Sequence, residues 1–296
     1  MRAASVALRV IALTMLLFVC FAVASSVVGL ANTQAAQPDS TAAVKLIVVC
    51  FLEAAMIANL VLRSSWSGWR LVAALFFVFY GVTTFMPQIE SAVFLTRLPP
   101  GTVPRLFLMG ALIAVPFSLL AVPILGKARG ASNPETNSRL QMTPGEWIWK
   151  LSVIAAVYVV LYFTFGYFVA WQNPALREYY GGVDNGFLAQ MGSVLRDTPW
   201  LVPFQIVRAL CWVAIAVPVV KMLKGGWLEA SFTLALLFSV LMNAQLLLPN
   251  PYMPETVRMS HLVETASSNF IFGMLTGWLL LRRQVYPGIT MAPGTA

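Results

Sequence analysis

Eight long apolar runs fill most of the chain, separated by short polar segments. They extend from Ala7 to Leu30, Ala42 to Leu62, Trp69 to Met86, Leu106 to Leu125, Leu151 to Ala170, Leu201 to Val220, Leu228 to Leu248 and Leu262 to Leu281. A helix needs about 20 apolar residues to cross a hydrocarbon layer of about 30 Å, and each run is of about that length. The expected fold is all-α: a polytopic transmembrane helical bundle of about eight spans. It forms one transmembrane domain over residues 1–283, followed by a tail at 284–296. Composition agrees, because 59% of the 296 residues are hydrophobic and only 10% are charged. A soluble domain carries about a quarter charged residues, and one soluble core would not hide so much apolar surface.

The positive residues flank the runs and gather on alternate connections. Arg2, Arg9, Arg63, Arg70, Lys127, Arg129, Arg139, Lys150, Lys221, Lys224, Arg282 and Arg283 fall on one side. Arg97, Arg105, Arg177, Arg196 and Arg258 fall on the other. The positive-inside rule then puts both termini in the cytoplasm of a multi-pass cell (inner) membrane protein. It also accounts for the net charge of +8 without nucleic acid, since these cations are topology signals and contacts to lipid headgroups. Tryptophans near the run ends fit an aromatic belt. The first run, behind Met1-Arg2, has some features of a signal peptide. Its length favours a retained span. Cys20, Cys50 and Cys211 lie singly inside runs, so neither a disulfide framework nor a zinc ribbon is expected.

Two possible halves, 1–126 and 147–283, are joined by a polar cytoplasmic loop, 127–146. Arg63 to Arg70 reads R-S-S-W-S-G-W-R and Lys221 to Trp227 reads K-M-L-K-G-G-W. The spans that follow end near Met86 and Gln88 and near Met242 and Gln245, each before a proline-containing loop. That pattern fits two parallel four-helix repeats. It also fits punctuation common to short-looped membrane proteins.

Polar residues inside the runs need partners, because a charge near the bilayer centre costs at least about 2.5–3.5 kcal/mol. Glu53 and Arg208 differ in depth by only about 4–5 Å at about 1.5 Å rise per residue. An intramembrane ion pair between them is one expectation; the alternative lets Arg208 snorkel outward. The richest constellation opens the eighth span. Met253-Pro254-Glu255 reads as a helix start. Arg258, His261, Glu264, Thr265, Ser268 and Asn269 then fall within an arc of about 140° at a helical step near 100° per residue. Such a stripe faces the bundle interior or a wet cavity. Pro87 should kink or end the third span and leave Gln88 and Glu90 at the same outer level. The segment from Trp171 to Trp200 is long enough to cover the resulting hollow, with turns at Gly181-Gly182 and Asn185-Gly186.

The expected binding residues are therefore Gln88, Glu90, Arg258, His261, Glu264 and Asn269. The reading favoured by the stripe is binding or movement of an amphiphile or small anion, with membrane lipids as the other partners. A second reading is an intramembrane Glu/His hydrolase. No cofactor is required by the sequence, but Glu90, His261 and Glu264 supply donors suited to a divalent metal. The usual hydrolase signatures are absent. A third reading is a structural or accessory subunit.

Overall fold

The structure is a computed structural model that describes residues 3–29, 41–95, 98–129 and 139–282. The charges at Arg2, Arg97 and Arg283, the tail 284–296 and the middle of the 127–146 loop lie outside the described residues. Of the described residues 82% are helical, and no strand occurs among them. The helices are α1 (Ala3–Val28), α2 (Ala42–Arg63), α3 (Gly68–Tyr80), α4 (Met86–Phe94), α5 (Thr102–Ile124), α6 (Pro144–Phe165), α7 (Pro174–Tyr180), α8 (Phe187–Asp197), α9 (Leu201–Met222), α10 (Trp227–Leu236) and α11 (Glu255–Leu281). A π turn over Gly81–Phe85 joins α3 to α4, and a second, Gly166–Ala170, extends α6. A third, Leu237–Leu241, extends α10 towards a 3-10 turn at Ala244–Leu247. Seven of the resulting rods are long and apolar enough to cross a membrane. The eighth, α11, is as long but carries the polar stripe, which lowers its mean hydropathy.

Local chemistry sets several boundaries. Thr143 caps α6 by accepting from the Glu146 N–H at 3.2 Å, with Pro144 at the first helical position. Asn173 caps α7 in the same way through the Ala175 N–H at 3.0 Å. Gly181, at φ 70°, ends α7 in the left-handed conformation that glycine adopts without penalty. The expectation that Pro87 ends the third span is corrected. The helix runs on to Phe94, and the π turn just before Pro87 is the reason. The Met86 N–H reaches back five residues to the Gly81 carbonyl, so the widened turn accommodates a residue that has no N–H to give and needs room for its ring.

The first four spans pack as α1 on α2 and α5, and α5 on α3. Among the second four, α6 packs on α9 and α11, and α11 packs on α10. Between the halves, α2 lies on the 237–241 turn, α9 lies on α3, and the 81–85 and 237–241 turns touch each other. At the crossing of α10 and α11, Gly273 and Gly277 of α11 meet Ala235 and Ser231 of α10. A Cβ on Gly273 would sit 2.6 Å from the Ala235 backbone, and one on Gly277 would sit 2.5 Å from the Ser231 Cα. Small residues four apart let helices approach closely where lipid offers no hydrophobic drive to association. Trp212, Phe238, Phe272 and Tyr158 fill the centre, with ring centroids 4.3–6.0 Å apart between successive partners.

One end of the bundle collects most of the described basic residues. There the two similar loops of the sequence meet: Ser64 and Leu223 pair in an isolated antiparallel bridge. Both have φ −71° and ψ 140°. The Ser65 N–H donates to Met222 O at 2.6 Å, and the Lys224 N–H donates to Arg63 O at 3.1 Å. The C-terminal carbonyls of α2 and α9 are met by cations, as helix dipoles favour. Lys127 donates to Ser64 O at 2.8 Å. Arg139 donates to Val220 O at 3.1 Å, to Leu223 O at 2.6 Å and to Gly225 O. Arg63 and Glu229 form a largely exposed pair that contributes little.

Burial first, and the charge of Lys224 second, lower the Lys127 ammonium below its ordinary value. Below the lowered value both groups are charged in the folded protein, and their repulsion opposes folding. Lys224→Gln is therefore expected to raise thermal stability at neutral pH. The gain should vanish at alkaline pH, where Lys127 of the unsubstituted protein discharges. Melting curves across pH check this; a gain that persists unchanged at high pH would contradict it.

Candidate functional site

The polar stripe lies near the end of the bundle opposite the basic one. Arg208 of α9 is 2% exposed. Its Nη1 donates to Glu90 Oε1 at 3.0 Å and to Gln205 Oε1 at 2.9 Å, and its Nη2 donates to Glu90 Oε2 at 2.7 Å. This two-pronged geometry is the strongest form of a carboxylate–guanidinium contact. The Tyr158 and Phe204 rings stand 5.8 and 5.9 Å from the guanidinium.

The expected Glu53–Arg208 pair is thus corrected to Glu90–Arg208. Depth alone suggested the former, but α2 and α9 point these side chains at different neighbours. Glu53 faces the second half, where its Oε1 accepts from the Gln245 Nε2 at 3.3 Å. Arg208 faces α4, which reaches it because the third span does not stop at Pro87.

His261 anchors the other half of the site. Its Nδ1 lies 2.8 Å from Glu264 Oε2, and its Nε2 lies 3.1 Å from the Tyr180 hydroxyl. In the neutral ring with Nδ1 donating to the carboxylate, Nε2 is the acceptor for the Tyr180 hydroxyl. Burial first, then Tyr179, Glu90 and Glu264, raise the Tyr180 hydroxyl above its ordinary value, so it remains a donor. The charge of Glu90 also acts on His261, Tyr158 and Tyr162, which joins the two clusters electrostatically. Glu264 faces the π turn at Gly166, where a Cβ would sit in ordinary contact, 3.5 Å from its Oε1.

Above Tyr180 is a hollow of about 540 Å³. Phe94, Leu95 and Leu98 wall one side, Tyr179 and Tyr180 a second, and the 250–254 loop a third. The Tyr179 hydroxyl ties α7 to that loop by donating to Tyr252 O at 2.6 Å. The segment from Trp171 to Trp200 thus contributes a wall through α7.

The remaining expected residues serve elsewhere. Arg258 is 5% exposed and donates to Leu246 O at 2.8 Å and to Leu248 O. It closes the end of the 3-10 turn after α10 and does not face the hollow as an anion receptor. Asn269 donates to the Met242 sulfur at 3.1 Å, between α10 and α11. Thr265 donates to Asn243 Oδ1 at 2.5 Å, at the same contact. Gln88 lies two residues from Glu90, and side chains so spaced on a helix face different ways. It lines a separate cavity of about 50 Å³ with Thr83, Thr84, Gly110 and Gln245. Among the described residues no three His, Cys, Asp or Glu side chains are grouped closely enough to hold a metal ion, so the Glu90, His261 and Glu264 set does not form one.

Sequence reasoning missed Tyr158, Tyr162 and Tyr180. The first two are four apart in the fifth run, a spacing that places them on one helix face. Tyr180 carries no such signal, because only the folding-back of α7 brings it to His261.

These features define a multi-pass helical membrane protein with a polar cluster beneath an open hollow. Compared with known families, characterised proteins and solved structures, the chain matches none.

Proposed function

We propose that the chain binds an amphiphile in the hollow beside Tyr180 and serves in its movement to or from the membrane. The observation that carries this is the junction of an aromatic, partly polar hollow with the Tyr180–His261–Glu264 chain of hydrogen bonds. Its volume lies within the range of about 300–1,000 Å³ usual for small-molecule sites. Phe94, Leu95, Leu98 and Pro251 suit an apolar portion. Tyr180 and the His261–Glu264 pair beneath it suit a hydrogen-bonding head. The small-anion branch loses support, because Arg208 is engaged by Glu90 and Arg258 by backbone carbonyls. A neutral or cationic head fits better, since Glu90 and Glu264 outnumber the one guanidinium among them. By the positive-inside rule the hollow opens on the extracytoplasmic side.

The test is mass spectrometry of the lipids and small amphiphiles retained by protein purified in mild detergent. Leu98→Trp, which fills the hollow, should abolish retention of the bound species while leaving the protein folded. Tyr180→Phe should reduce it about tenfold, the worth of one hydrogen bond of about 1.4 kcal/mol. Equal retention by Leu98→Trp and the unsubstituted protein would defeat the proposal and leave a structural role for the polar cluster.

A further inference from the structure

Glu53 is the one acid of α2, and it is fully buried. Its Oε1 accepts a single hydrogen bond, from Gln245, and its Oε2 has no hydrogen-bond partner. On its own face of α2 stand Cys50, Ala54 and Ile57, all at 0% exposure. The neighbouring helices α1 and α3 carry charge only at Arg9 and Arg70, in their turns nearest the basic end. The 237–247 segment, which also packs on α2, carries none. The ionisable group that feels Glu53 is the Cys50 thiol on the same helix, with Cys20 of α1 beyond it.

The other half shows how the chain treats a comparable crossing. There a side chain from α9, Arg208, meets Glu90 just past the 81–85 π turn and is neutralised through two short hydrogen bonds. Here a side chain from α2 meets Gln245 just past the 237–241 π turn and finds an amide. An isolated carboxylate in a dry interior costs many kcal/mol unless its charge is cancelled. The described chain brings no cation to Glu53, so the cancelling charge comes from outside the chain. A metal ion requires a cage of oxygens, about six for the hard divalent ions. Glu53 is met instead by one N–H donor. A proton needs only the free oxygen.

We propose that Glu53 is a proton-binding site of the bundle, loaded and unloaded through the small cavity at Gln245. That cavity, about 50 Å³, is lined by Gln245, Thr83, Thr84 and Gln88 among apolar side chains; Glu53 stands behind its wall, in contact with Gln245. A water needs about 10–15 Å³ of such volume and two to four polar partners, and the two hydroxyls and two amides supply them. The Gln88 Oε1 is itself buried without a hydrogen-bond partner, an acceptor available to such a water. In the loading step a hydronium ion gives a proton to Glu53 Oε2, an O–H bond forms there, and water leaves. Unloading is the reverse. π turns recur at functional sites in helices, and the one at Gly81–Phe85 lines this cavity through Thr83 and Thr84. This inference stands apart from the amphiphile site, which lies around Tyr180.

The experiment is labelling with dicyclohexylcarbodiimide, a lipophilic reagent that adds to protonated buried carboxyls. The full chain in detergent is labelled at a series of pH values, and the modified residue is located by peptide mass spectrometry. Label on Glu53 that falls at least tenfold as pH rises, and that sodium does not block, is the expected result. Infrared difference spectra should show a protonated-carboxyl band that titrates in the same way and is missing from Glu53→Gln. If that variant fails to fold, the labelling of unsubstituted protein still decides the matter. Absence of label on Glu53 at every pH would overturn the proposal. So would protection by sodium at constant pH, which would make the site one for a metal cation.

Discussion

Replacing Glu90 by glutamine is expected to cost about 3 kcal/mol of stability, because it leaves the Arg208 guanidinium buried without its counter-charge. Breaking a buried ion pair from one side costs about 3–5 kcal/mol. The 29% exposure of the Glu90 side chain places this one at the low end. Arg208→Gln should cost a similar amount, and the double variant much less than the sum. The control is Glu53→Gln combined with Arg208→Gln. These two side chains share no partner, so their effects should add to within about 0.3–0.5 kcal/mol. Denaturation of the purified protein in detergent measures all of them. Additivity in the Glu90–Arg208 cycle, or strong coupling in the Glu53–Arg208 cycle, would reverse the assignment of the pair.

The second large effect is expected at the α10–α11 crossing. Gly277→Val and Gly273→Leu place a side chain where a single Cβ already comes within 2.5–2.6 Å of backbone atoms of the facing helix. A backbone cannot turn aside as a side chain does, so the helices must separate. Overpacking ordinarily costs about 1–3 kcal/mol; these variants should reach or exceed the upper figure. The expected readout is loss of the monodisperse peak on size-exclusion chromatography. Val263→Ala, on a 60% exposed face of the same helix, should leave that peak unchanged. Normal behaviour of Gly277→Val would mean that α10 and α11 lie farther apart than described.

What the sequence revealed and what it hid divide along a physical line. Apolar length and charge fix which residues cross and how deep each polar group sits. They do not fix the direction in which a side chain leaves its helix. Glu53 and Arg208 were matched by depth, but α2 turns one towards Gln245 and α9 turns the other towards Glu90. Gln88 and Glu90 were grouped by height, yet they open on different cavities. Arg258 belongs to the stripe by its position on the wheel. Its length lets it reach carbonyls at Leu246 and Leu248 that no periodicity announces. The Gly-Trp loops were legible as a matched pair, and their meeting at Ser64 and Leu223 was not, because a local resemblance carries no information about contact. The Gly273-x-x-x-Gly277 spacing was in plain view and marks the crossing of α10 and α11.

The π turn before Pro87 has one more consequence. A turn of that kind holds one residue more than the rod around it would otherwise need, and each residue advances the winding by about 100°. Winding the same residues into an even coil, without the widened turn, would spin everything beyond it by about that angle. Glu90 would swing off the guanidinium and some other side chain would take its bearing. Five residues thus set the compass heading of the third rod's far end, and an acid that hydropathy alone would leave pointing anywhere arrives at the one arginine waiting for it.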